Sequence, residues 1–84
     1  MDVPSYDPAR GLRYEWDDGF EIRVHIRKDE VTIAANEAGL RSLARHLLML
    51  AQDSVPVHLH IHLDSSNSLE DGYCQVVIDK IPTS

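Results

Sequence analysis

Cysteine is almost missing from this 84-residue chain: Cys74 stands alone. A single thiol excludes an intrachain disulfide and a four-cysteine zinc site, and its place in an apolar-alternating segment reads as a small buried hydrophobe. No apolar run approaches the ~20 residues that a membrane span needs. Met1-Asp2-Val3-Pro4 lacks the basic and apolar regions of a signal peptide, so a reduced, cytoplasmic protein with no membrane association is expected. Basic residues are also scarce, 8 against 14 acidic ones, for a formal net charge of −6. That balance argues against nucleic acid, whose phosphates call for a basic patch, and is compatible with a basic protein partner. Glycine-rich phosphate loops are absent, and no serine or cysteine has the setting of an activated nucleophile. The adjacent carboxylates Asp17-Asp18 and Glu70-Asp71 diverge in space instead of pairing for acid–base work. The chain reads as a non-enzyme, and no cofactor is implied.

What is present is periodicity. Residues 1–11, with Pro4, Pro8 and Gly11, read as an irregular lead-in to one domain over 12–84. Leu12, Tyr14 and Trp16 alternate with polar residues and suggest a short strand, and Asp17-Asp18-Gly19 marks a tight turn. From Phe20 to Arg27 the alternation is clean, with Phe20, Ile22, Val24 and Ile26 on one face and Glu21, Arg23, His25 and Arg27 on the other. After a polar turn at Lys28-Asp29-Glu30, Val31, Ile33 and Ala35 continue as another strand. The period then changes. Leu40, Leu43, Ala44, Leu47 and Ala51 recur at helical spacing behind a plausible N-cap, Asn36, and Leu48 and Leu50 widen the stripe. Arg41, Ser42, Arg45, His46, Met49 and Gln52 take the opposite, solvent-facing side, and the helix is expected to end near Asp53, before Pro56. A strand from Val57 to about Leu63, a polar connection over 64–72 and a last strand from Tyr73 to Ile81 complete the chain. In the last strand Cys74, Val76 and Ile78 face inward, with Tyr73, Gln75, Val77 and Asp79 outward. The expected fold is α+β: a two-layer sandwich whose four- or five-stranded, mainly antiparallel sheet is covered on one face by a single helix.

The stretch Val57-His58-Leu59-His60-Ile61-His62-Leu63-Asp64 places three of the five histidines in one outward row. A straight strand separates His58 and His62 by roughly 13 Å, so the row alone offers two ligands per ion. A metal-binding module would have to combine His60 and His62 with His25, or with Glu21, Gln75 or Asp79, from another strand. A pH-responsive cluster and a plain polar surface are the other readings. The connection after Asp64 lacks the central glycine and terminal bidentate glutamate of a calcium loop. Outward Val77 with Tyr73 allows a homodimer through the sheet face.

Asn36-Glu37-Ala38-Gly39-Leu40, Leu43-Ala44-Arg45-His46-Leu47-Leu48-Met49-Leu50-Ala51-Gln52, His60-Ile61-His62-Leu63-Asp64 and Leu69-Glu70-Asp71-Gly72, in that order, resemble the immunity protein 32 family of bacterial polymorphic toxin systems. The likeness runs from about Glu21 to Ile81. Tyr73 stands where the family usually carries a serine. The resemblance implies a non-enzymatic protein that binds and neutralises a cognate protein toxin. The residues themselves suggest the contact surface: His58, His60 and His62, flanked by Glu21, Arg23 and His25 on the wet sheet face, with the acidic loop carrying Asp64, Glu70 and Asp71 to meet a basic toxin cleft. The side of the helix bearing Arg41, Arg45 and Met49 is a competing surface.

Overall fold

The computed structural model describes residues 2–64 and 75–83. Its elements are β1 (Ile22–Arg27), β2 (Glu30–Ala35), α1 (Glu37–Leu50), β3 (His60–Leu63) and β4 (Val76–Asp79). The α+β class and antiparallel pairing on each side of the helix agree with the sequence. Among the described residues there is no single four- or five-stranded sheet: β1 pairs with β2, and β3 with β4, in two separate two-stranded sheets. An isolated two-stranded ribbon is marginal in water, so both hairpins depend on a shared core. Ile22 and Val24 from β1, Leu50 and Val55 around the end of α1, and Ile61 and Leu63 from β3 form that core, with Leu43, Val76 and Ile78 packed against it.

Asn36 is the joint between β2 and the helix. Its Oδ1 accepts from the backbone N–H of Gly39 (2.8 Å) as an N-cap and from that of Glu21 (3.0 Å), while its Nδ2 donates to the Gly19 carbonyl (2.8 Å). One side chain therefore ties the helix start, the foot of β1 and the Asp17–Gly19 turn together. That turn is the one expected, with Gly19 at φ +76° and Phe20 N–H donating to Asp17 O. Gly39 lets the helix approach the hairpin closely: a Cβ there would collide with the Glu21 carbonyl oxygen and press on Ile22 and Ala35.

Two expectations are corrected by packing. Residues 12–16 are extended but join no sheet; they lie along α1 as a strap. The helix is consequently rolled away from its leucine stripe. Its buried residues are Gly39, Ser42, His46, Met49 and Leu50, whereas Leu40, Leu47 and Leu48 are exposed. The physical reason is a set of hydrogen bonds that leucine cannot accept. Backbone N–H groups of Asp17, Glu15 and Arg13 donate in turn to Ser42 Oγ (2.8 Å), His46 Nε2 (3.0 Å) and Met49 Sδ (3.4 Å). Two strand residues advance about 6.6 Å and three or four helix residues about 4.5–6 Å, so every second strap amide meets the next turn of the helix. Further along, Gln52 accepts from Tyr6 N–H and donates to Pro4 O, fastening the irregular residues before the strap.

Candidate functional site

The histidine row is shorter than its alternation suggests. The strand begins at His60 instead of Val57, because His58 has φ +69°, a left-handed conformation that breaks the pleat. Backbone pairing nevertheless reaches past the strand: His58 N–H donates to Lys80 O, and Lys80 N–H to Leu59 O. The Lys80 ammonium, which sequence reasoning overlooked, donates to the carbonyls of Gln52 and Val55 at 2.7 Å each and anchors β4 beneath the helix end. Both carbonyls belong to the turns after α1, and the ammonium satisfies two backbone acceptors there that no strand or helix bond takes up.

On this frame Ile61 and Leu63 point inward and His60 and His62 outward, as alternation requires. The His60 and His62 rings meet edge to face with centroids 5.0 Å apart. Across the ladder His60 faces Asp79 and His62 faces Val77, both exposed. His58 Nδ1 lies 3.3 Å from Asp79 Oδ2, and His60 Nδ1 lies 3.3 Å from the His58 carbonyl. The His58–Asp79 pair is open to water and contributes little to stability. It does orient the imidazole. The Tyr14 hydroxyl accepts from the His62 backbone N–H at 3.4 Å, so the strap also touches the outer edge of β3.

The remaining site residues separate. Arg23 and His25 are exposed on β1, opposite Ala34 and Thr32, in the other sheet, and so do not flank the row on a common sheet. Asp64 is half-buried at the end of β3, whereas Glu70, Asp71, Tyr73 and Cys74 lie outside the described residues. Among the described residues no three His, Cys, Asp or Glu side chains converge on a metal position, so His25, His60 and His62 are not assembled as a ligand set. Among the described residues no helix is long and apolar enough to cross a membrane.

The strap occupies most of the competing helix surface and leaves Arg41 exposed. Met49 is buried, and Arg45 donates to Glu15 O (3.1 Å) and pairs with Asp17 (3.1 Å). Arg41 reaches the same carboxylate at 3.2 Å. The Arg41 hydrogen bond, joined by Arg45, holds the Asp17 carboxyl below its ordinary range against a smaller opposing effect of burial. His46 lies edge-on to Trp16 (4.4 Å) and Tyr14 (5.2 Å). Burial pushes its imidazole below the usual value of 6.5, outweighing the Glu15 backbone hydrogen bond that opposes the shift. Its Nε2 is 3.0 Å from Glu15 N and 3.1 Å from Glu15 O, and each neutral tautomer satisfies one of these. Its Nδ1 has no partner among the described residues. Ser42, His46 and Met49, spaced four and then three residues apart, share the helix face on which the strap lies.

A family model for immunity protein 32 matches residues 30–81, well over half the chain. The chain belongs to the immunity protein 32 family. The match spans β2, α1, β3 and β4, while β1 and the strap lie outside it. No curated protein and no solved structure matches. Membership implies an immunity protein that neutralises a cognate toxin, a non-catalytic role.

Proposed function

We propose that this immunity protein neutralises its cognate protein toxin by direct contact through the exposed face of the β3–β4 hairpin. The supporting observation is the His60–His62 pair, held edge to face on a strand whose inward residues are fully packed. Such a surface meets a partner with little ordering cost, and its imidazoles offer both donors and acceptors. His58 and Asp79 extend the patch, and exposed Val77 supplies an apolar contact. Asp64, Glu70 and Asp71 follow β3 in sequence and would carry negative charge to a basic toxin cleft. Arg23 and His25 form a second contact on the other hairpin. The proposed encounter is cytoplasmic, made by one domain over 12–84 with 1–11 as a lead-in, and needs neither metal nor nucleic acid.

The test is co-expression with the toxin encoded beside this gene. The wild-type chain is expected to rescue growth. The double variant His60→Ala/His62→Ala should lose more than about tenfold in affinity for purified toxin while keeping its helical circular dichroism. Undiminished binding by the double variant would place the contact elsewhere. Failure of the wild type to rescue would overturn toxin neutralisation by this pair. Self-association through Val77 and Tyr73 has weaker support, since the larger uncovered apolar surface lies on β2 and α1.

A further inference from the structure

β2 is the least protected element of the fold. Every residue from Glu30 to Ala34 is exposed, and only Ala35 is partly covered. Its inner edge is satisfied by β1 through the register Arg27↔Glu30, His25↔Thr32 and Arg23↔Ala34. The hairpin closes on the two-residue turn Lys28-Asp29, so Glu30, Thr32 and Ala34 direct their N–H and C=O groups at β1. The Asn36 N–H bond to Glu21 O continues the same phase. Val31 and Ile33 therefore direct theirs outward, along an edge with no strand partner among the described residues. Natural sheets guard such edges with lysine, proline or a bulge. Val31-Thr32-Ile33-Ala34-Ala35 has no charge and no proline, and its pairing with β1 is uninterrupted.

An apolar face accompanies that edge. Ile22, Val24 and Ala35 face the core, and Ile26, Val31 and Ile33 continue the same face outward beyond it. Gly39 approaches Ile22 and Ala35, so α1 lies on this side of the hairpin. The exposed large apolar residues of the helix are Leu40, Leu47 and Leu48. These six side chains are 40–63 % exposed, and their summed apolar surface is on the order of 500 Å². A standard dimer buries about 800 Å² per partner, and in homodimers about 65 % of that is apolar. The summed exposed apolar area is of the size one dimer interface requires.

We propose that the chain forms a two-fold homodimer by antiparallel pairing of β2 with β2 of a second copy, joining the two hairpins into one four-stranded sheet. Side-chain direction permits only registers that set odd residues against odd ones. The register centred on Thr32 places Val31 against Ile33 of the partner subunit, and Thr32 against Thr32 of the partner subunit. It sets the only charge of the strand, Glu30, against Ala34 of the partner subunit. β-branched residues then pair with β-branched residues, and no like charges meet. The outward N–H and C=O groups of Val31 and Ile33 become the new ladder. Both helices come to lie on one face of the joined sheet, the face bearing Ile26, Val31 and Ile33. A second copy fits better than a foreign strand, because edge, face and charge are complementary to themselves under a two-fold axis.

Sedimentation of the full chain at about 100 µM is expected to give twice the 9.5 kDa monomer mass. Ile33→Pro removes an outward N–H but no bond to β1, so it should give a monomer that retains helical circular dichroism. If that variant loses its helix signal, Val31→Lys carries the same test by placing a charge on the edge. Thr32 would sit in a non-hydrogen-bonded pair at the axis, with Cα atoms about 4.5 Å apart. Thr32→Cys in a Cys74→Ser background should therefore cross-link under mild oxidant. A wild-type chain that sediments at 9.5 kDa, a dimer that survives in the folded variant, or a dimer that does not cross-link at residue 32 would each overturn the proposal.

Discussion

Asn36 and His46 carry more of the architecture than their residue types suggest. Capping alone is worth about 1 kcal/mol, and Asn36 also holds Glu21 and Gly19. Asn36→Ala is expected to lower stability by about 2–3 kcal/mol in urea denaturation. Asn36→Asp keeps the acceptor and should recover the capping part of the loss. A cost near 1 kcal/mol for the alanine variant would mean the other two bonds contribute little. His46 sets a pH dependence of definite sign. Its folded-state pKa is depressed below 6.5 by burial among Trp16, Tyr14 and the strap. Below 6.5 the unfolded chain binds the proton more readily than the folded one. Stability is therefore retained above that value and declines as the pH falls through it towards the depressed folded value, by at most about 1.4 kcal/mol per pH unit for one proton. Denaturation midpoints measured from pH 7.5 to 5 should fall for wild type, and the part due to this residue should vanish in His46→Gln. Identical slopes in the two proteins would remove His46 as the cause.

At the scale of elements, helix, strap and hairpin fit through one close approach. Gly39 brings α1 against the Glu21 carbonyl, Ile22 and Ala35 at the base of the β1–β2 hairpin. Helix propensity favours alanine over glycine by about 1 kcal/mol, but a Cβ here meets backbone that cannot rotate away. Gly39→Ala is expected to destabilise by about 1–3 kcal/mol, the range for overpacking. A stabilised variant would show that the helix can shift without cost. The strap explains why an alternating segment need not be a strand of a sheet. Leu12 and Trp16 pack on the core while the amides of Arg13, Glu15 and Asp17 bond to side chains of α1. Period-two patterning reports an extended chain with one covered face. It carries no information about whether the hydrogen-bonding partner is a strand or a helix.

Across the whole molecule, the same limit separates the legible from the hidden. Local pattern sufficed for the two hairpins, for Asn36 as the cap, and for the outward direction of His60 and His62. Each follows from the geometry of a few consecutive residues: alternation, a turn of permitted φ, or an acceptor placed before a helix. Of the candidate surface, local pattern reaches the outward direction of His60 and His62, whereas placing Arg23 and His25 beside them takes the assumption that all strands join. That assumption failed, since alternation defines faces but not neighbours. The roll of α1 was equally hidden, as the leucine stripe is the larger apolar surface and Ser42 and His46 are polar. Sequence by itself determined the α+β class, the antiparallel pairs and, through its ordered motifs, the immunity protein 32 family. Tertiary structure alone decided which side of the helix is buried and that the sheets remain apart. Burial follows the sum of hydrogen bonds and apolar contacts available in three dimensions, and the strap amides have their acceptors on Ser42, His46 and Met49.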